Sequence, residues 1–221
     1  MILLPKLKTV VILTPRTGSG TLYRAVLAAH SDAIMPYRHM EADGIPFGYE
    51  RWPRVGVVRH PAARLLSMYN YLSTYGADEM TAHFGALRSA GLRESVAVPF
   101  KQWLLHNTTV FAHPWGDGAS NEYHPKHAVM HTLPENIKSQ SYYLAPWQRG
   151  LEAYSFGNWS GLTKRLELPD NAFNDTRKNA SRPVYRTAVE AVLADPEMHQ
   201  HLMLHHRWDM DFAAGMAKIA T

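Results

Sequence analysis

The sequence predicts an α/β fold of three layers, a central, mostly parallel sheet flanked by helices, built by residues 1–221 as one domain. Three observations predict it. Short β-branched runs at residues 9–13 and 55–58 have the near-continuous apolar character of strands buried on both faces. Each run stops at a polar turn and passes into a stretch with apolar residues at helical spacing. Strands that alternate with helices in this way pair in parallel through helical crossovers. The 221 residues are 46% hydrophobic, 11% aromatic and only 19% charged, enough for one sizeable core and unlike a disordered chain.

The elements follow in order. Met1-Ile2-Leu3-Leu4-Pro5-Lys6-Leu7-Lys8 has lysines inside its apolar run and a polar turn after it, so it reads as a buried strand rather than a leader. Thr9-Val10-Val11-Ile12-Leu13 is a central strand stopped at Thr14-Pro15. A tight turn at residues 17–21 leads into a helix over 22–29. A second short strand is expected at 33–37 and a third at 55–58, which ends at Arg59-His60-Pro61. The next helix covers 62–75, with Leu65, Leu66, Tyr69 and Leu72 on one face. Residues 81–143 look helical around a loop rich in His, Pro and Gly, and two further helices flank a loop at 170–183. Ligands of parallel sheets bind at the carboxyl ends of the strands, so the polar segments 15–21, 38–41 and 59–67 should gather at one edge.

Composition narrows the chemistry. Lys and Arg number 23 against 19 Asp and Glu, a net charge of +4 that suits an anionic small ligand. No basic stripe with interleaved aromatics marks a nucleic-acid surface. The chain has no cysteine, which removes disulfides, thiolate zinc sites and cysteine nucleophiles and fits a reducing, cytoplasmic setting. No run approaches the roughly 20 apolar residues of a membrane span. His124, His127 and His131 have the spacing of a zinc-binding helix face. Pro125 places His124 near a helix cap, however, and a further ligand is missing, so no metal site is expected.

Two motifs carry the function. In Thr14-Pro15-Arg16-Thr17-Gly18-Ser19-Gly20-Thr21, glycines can turn backbone N–H groups inward, a helix N-terminus adds positive charge, and hydroxyls supply further donors. The segment is either an anion cradle or a plain connecting turn. It lacks the Gly-Lys-Ser/Thr of a Walker A loop, and its one cation, Arg16, stands at the front. In Val57-Val58-Arg59-His60-Pro61-Ala62-Ala63-Arg64-Leu65-Leu66-Ser67-Met68-Tyr69, an arginine leaves a strand tip and Ser67 follows eight residues later, about two helical turns into the next helix. The pair can hold one phosphate from two sides.

Together these residues resemble the sulfotransferases that use 3′-phosphoadenosine 5′-phosphosulfate (PAPS), especially carbohydrate-type and bacterial members. Pro15-Arg16-Thr17-Gly18-Ser19 is similar to the family's 5′-phosphosulfate loop, and Arg59, Pro61, Ser67 and Tyr69 are similar to its 3′-phosphate motif. The resemblance covers residues 9–75 well and the rest loosely. Lys138-Ser139-Gln140-Ser141 resembles a His…Pro-Gln-Ser segment without the proline, and the basic loop with Arg177 and Lys178 sits where a loop closes over the nucleotide.

The resemblance implies a P-loop-like sulfotransferase fold and transfer of a sulfuryl group from PAPS to a hydroxyl or amine of a saccharide or small molecule. It further implies that Arg16, Thr17, Gly18, Ser19, Gly20 and Thr21 hold the 5′-phosphate and sulfate, that Arg59 and Ser67 hold the 3′-phosphate, and that Arg177 and Lys178 add donor contacts. No metal is implied, because cations stabilise the charge. Family members place a His or Glu base after the second strand; His39, 20 residues before Arg59, is favoured over Glu41, with Arg38 as a second cation at the sulfate. Two other classes stay open: a P-loop kinase, against which the missing lysine motif and missing acidic magnesium ligand count, and a non-catalytic nucleotide- or nucleic-acid-binding module.

Overall fold

A computed structural model describes residues 1–74, 96–106, 139–173 and 183–215. Its sheet has four strands in the order β1-β2-β3-β4: β1 (Ile2–Leu4), β2 (Thr9–Ile12), β3 (Arg54–Val58) and β4 (Leu151–Ser155). β1 and β2 form an antiparallel hairpin, Leu3 opposite Val10, through a turn in which the Lys8 nitrogen donates to the Pro5 carbonyl at 3.2 Å. β2 and β3 are parallel, Val11 beside Val55, and β3 and β4 are parallel, Gly56 beside Ala153. Every residue of β1, β2 and β3 is buried, which is why their apolar runs are nearly unbroken.

The helices among the described residues are α1 (Ser19–Ala29), α2 (Pro61–Thr74), α3 (Phe100–His106), α4 (Gln140–Leu144), α5 (Trp159–Arg165), α6 (Pro183–Ala194), α7 (Pro196–His205) and α8 (Arg207–Ala213), with a 3₁₀ turn at Ala42–Gly44. Side-chain alternation along the strands sorts the sheet into two faces. Ile2, Leu4, Val11, Val55 and Val57 pack with Leu22 and Val26 of α1 and Leu162 of α5. Leu3, Val10, Ile12 and Val58 pack with Met40, Tyr143 and Leu144 of α4, and Trp208 and Phe212 of α8 join them. A third cluster joins α2, α3, α6 and α7 around Leu65, Trp103, Val192 and Leu202. Helices therefore cover both sheet faces, in an α/β fold.

Gly56 is what lets α4 lie against β3, since a Cβ there would run into the Leu144 side chain. At the opposite end of the sheet from the strand tips, Arg54 is 2% exposed and donates to the carbonyls of Leu144 (2.9 Å), Ala145 (3.3 Å), Gln148 (2.7 Å) and Arg149 (3.0 Å), and to Gln148 Oε1 (3.1 Å). One planar guanidinium ties the end of α4 to the turn that follows it.

The structure corrects the expected organisation in several places. Residues 33–37 form no strand: only Ile34 bridges to Leu3 (2.7 and 3.0 Å), and Ile34 and Met35 are each 39% exposed. Pro36 cannot donate to a ladder there. Helix α1 begins at Ser19, earlier than residue 22, because the glycine turn itself caps it. β4 was not expected, and more than two helices follow it: α5 before the loop at 170–183, and α6, α7 and α8 after it. Most of the expected helical middle, 81–143, falls outside the described residues. No helix among the described residues is long and apolar enough to cross a membrane.

Candidate functional site

The carboxyl ends of β2 and β3 carry the two motifs. After β2 the chain stays buried through Leu13, Thr14 and Pro15, then turns at Arg16 with φ 66° and at Gly18 with φ 78°. Left-handed backbone is uncommon for a residue with a Cβ, so Arg16 is held there by its surroundings. The Thr17 hydroxyl donates to the Thr14 carbonyl at 2.9 Å, and the nitrogens of Thr21 and Leu22 donate to the Gly18 carbonyl at 3.0 Å. Ser19, Gly20 and Thr21 form the first turn of α1. Trp159 and Phe156 close over the turn: a Cβ on Gly18 would lie 2.8 Å from Trp159 Cη2 and 3.2 Å from Phe156 Cε2.

Arg59 leaves β3 half-buried. Its backbone nitrogen donates to Gln140 Oε1 at 2.8 Å, and Gln140 Nε2 donates back to its carbonyl at 2.7 Å. Its Nη1 donates to the Arg16 carbonyl at 3.3 Å, and its Cζ lies 4.8 Å from the Phe156 ring centroid. From α2, Ser67 Oγ accepts from Arg16 Nε (3.2 Å) and Nη2 (3.0 Å), while the Arg16 guanidinium lies 4.3 Å from the Tyr71 ring centroid. Arg64, also on α2 and fully buried, donates through Nε to the Pro15 carbonyl at 3.1 Å. Burial lowers its pKa, and Tyr143 and Asp209 counter that shift.

Arg16, Arg59 and Ser67 are thus brought together, more closely than the family resemblance implies. Arg16 and Ser67, which it assigns to opposite ends of one nucleotide, are in direct contact.

The segment after α1 supplies the candidate base. His39 is half-buried, and its Nδ1–H donates to the Leu13 carbonyl at 2.6 Å, at the start of the first motif. That bond leaves the ring's lone pair on Nε2. Burial pulls its pKa down to about 3, and the positive charges of Arg38 and Arg64 push the same way, so the ring is neutral at neutral pH. Arg38 is exposed, with its guanidinium 5.1 Å from the Tyr23 ring centroid and its Nη2 3.0 Å from where a Cβ on Gly20 would lie. Glu41 is 1% exposed. The hydroxyl pKa values of Tyr142 and Tyr143 are raised first by burial and then by the Glu41 charge.

Arg177 and Lys178, and His124, His127 and His131, lie outside the described residues. Among the described residues no group of three or more His, Asp or Glu side chains could hold a metal ion. Sequence reasoning missed Arg64, the clamp that Gln140 places on Arg59, and Asp209. The Asp209 carboxylate accepts from the nitrogens of Gln140 (2.8 Å) and Ser141 (3.1 Å) across 69 and 68 residues of sequence, and no local spacing signals such a contact. Only the Ser-Gln-Ser segment itself gave a hint. Compared with protein-family models, with curated proteins and with solved structures, the chain matches none.

Proposed function

We propose that the chain is a sulfotransferase that moves a sulfuryl group from PAPS to a hydroxyl or amine of a saccharide or small-molecule acceptor, in the cytoplasm. The observation that supports this most is the meeting of two strand-tip cations at one sheet edge: Arg59 reaches the Arg16 carbonyl at 3.3 Å while Arg16 lies on Ser67 at 3.0 Å. A nucleotide with phosphate on both its 3′ and 5′ positions needs two anion grips within one small molecule's reach. Holding it requires the Arg16 guanidinium to part from Ser67. Arg59 and Ser67 then take the 3′-phosphate, and Arg16, with the turn from Thr17 to Thr21, takes the 5′-phosphosulfate.

In the reaction the acceptor oxygen or nitrogen bonds to sulfur, the bond from sulfur to the bridging phosphate oxygen breaks, and adenosine 3′,5′-bisphosphate leaves. The acceptor's proton passes to His39 Nε2, the lone pair that the Leu13 hydrogen bond leaves available, once the bound sulfate's negative charge raises the ring's pKa from about 3. Positive charge at the leaving oxygen comes from Arg16, which stays protonated at every working pH and so neutralises without donating a proton. Arg38 adds a second cation beside the sulfate. In-line positioning and charge stabilisation carry such a transfer without a covalent intermediate.

The test is direct. The purified chain should bind adenosine 3′,5′-bisphosphate without magnesium and more tightly than ATP, and with sulfur-labelled PAPS and an extract of candidate acceptors it should add a sulfuryl group detectable by mass spectrometry. Preference for magnesium-ATP, or an Arg16→Ala chain with unchanged bisphosphate affinity, would refute the proposal.

A further inference from the structure

We infer that Asp209, on α8 and far from the motifs in sequence, is the positioning residue that holds Arg59 in its anion-gripping pose, acting through Gln140. The side chain is fully buried. Its two oxygens accept from the first two backbone nitrogens of α4, Gln140 at 2.8 Å and Ser141 at 3.1 Å. A carboxylate at that helix start fixes where Gln140 stands, by hydrogen bonding to donors that have no partner within the helix. Gln140, fully buried as well, then presents its amide to the main chain of Arg59, accepting at 2.8 Å and donating at 2.7 Å. A side-chain amide offers both functions in one plane. The pair extends the bonding pattern of β3 one residue past Val58.

The same carboxylate is tied to the other strand tip. Arg64 feels the Asp209 charge, and Arg64 Nε holds the Pro15 carbonyl, immediately before Arg16. His206 Nδ1 lies 3.6 Å from the same carboxylate. One buried anion thus faces both loops, through hydrogen bonds to the start of α4 on the Arg59 side and through its charge acting on Arg64 on the Arg16 side. That a ligand is gripped there rests on the function proposed above; the relay from Asp209 to Arg59 does not.

Two variants of the full-length chain test the relay. Asp209→Asn removes the charge and turns an N–H toward a backbone donor. Gln140→Met, of similar volume, leaves Asp209 in place and deletes only the clamp. Hydrogen exchange at the Arg59 amide should speed up by about tenfold or more in each, and the dissociation constant for adenosine 3′,5′-bisphosphate should rise about tenfold, the worth of about one hydrogen bond. Because both act on one path, the double variant should bind little worse than either single one. In turnover, the KM for the donor should rise while kcat at saturating donor holds, a split that a smaller folded fraction does not produce.

An unchanged Arg59 amide in Asp209→Asn, bisphosphate affinity equal to the parent chain in either variant, or fully additive losses would each overturn the inference. If the parent chain binds no bisphosphate, the proposed function fails, and the Arg59 amide alone decides the relay.

Discussion

Replacing Gly18 by alanine should destabilise the chain by two separable amounts. The first is local: Gly18 has φ 78°, and a residue with a Cβ in left-handed backbone costs about 1–2 kcal/mol. The second is steric. The new methyl would stand 2.8 Å from Trp159 Cη2, 3.2 Å from Trp159 Cζ2 and 3.2 Å from Phe156 Cε2, and such overpacking costs about 1–3 kcal/mol. The flanking rings cannot simply yield, since Trp159 packs on Phe173 with centroids 4.7 Å apart and Phe156 lies under Arg59. Together the terms amount to roughly 2–5 kcal/mol, a fall in Tm on the order of 5–20 °C for a chain of this size.

Urea denaturation of four chains separates the terms: the parent, Gly18→Ala, Trp159→Phe and the double variant. Phenylalanine lacks the two indole carbons that the methyl strikes, so the double variant should recover the steric part, a coupling of about 1–3 kcal/mol, and keep the backbone part. Additivity within about 0.5 kcal/mol, or a Gly18→Ala chain as stable as the parent, would refute the placement of Trp159 over the turn.

Further outcomes follow from the same geometry. His39→Ala should lower kcat by about 10²–10⁴ while bisphosphate binding is retained, as read by sulfuryl-transfer kinetics and calorimetry; an unchanged kcat would remove His39 as the base. The pKa of His39 is pulled down to about 3 and that of His201 to about 4, in each case first by burial. Below the unfolded value of 6.5 the unfolded chain therefore binds more protons than the folded one. Their contribution to stability is complete above pH 6.5 and is lost as pH falls toward 4 and then 3. Urea midpoints should drop from pH 7 to pH 5, and a rise over that interval would contradict the assignment. Arg54→Lys should destabilise severely, because one ammonium cannot replace the fork that serves four carbonyls, and each orphaned carbonyl costs about 1–3 kcal/mol; thermal melting checks it.

The parts of the fold legible in the sequence are those whose side chains share one environment. β2 and β3 are buried along their whole length and read as strands, whereas β4, Leu-Glu-Ala-Tyr-Ser, is buried only at Leu151 and has no continuous apolar run to find. The mistaken strand at 33–37 shows the converse. Ala-Ile-Met looks apolar enough, but it pairs at one residue, and Pro36 follows. At the site, Arg16, Arg59 and Ser67 were readable as neighbours because they stand beyond strand ends or at a fixed helical offset, whereas His39 was reached only through the family resemblance, since residues 33–37 before it form no strand. Arg64 and Asp209 were not, because their roles depend on α2, α4 and α8 meeting, and a lone Arg or Asp on a helix reads as solvated surface.

The two arginines differ in stiffness. Arg59 emerges directly from a strand bonded on both edges and is clamped at its own peptide by Gln140. Arg16 stands four residues beyond the end of β2, inside a turn, where local opening is cheapest. In the proposed bisphosphate grip, compliance is therefore one-sided: compounds that share the end assigned to Arg59 and vary in length or charge at the other should be accommodated by movement at Arg16.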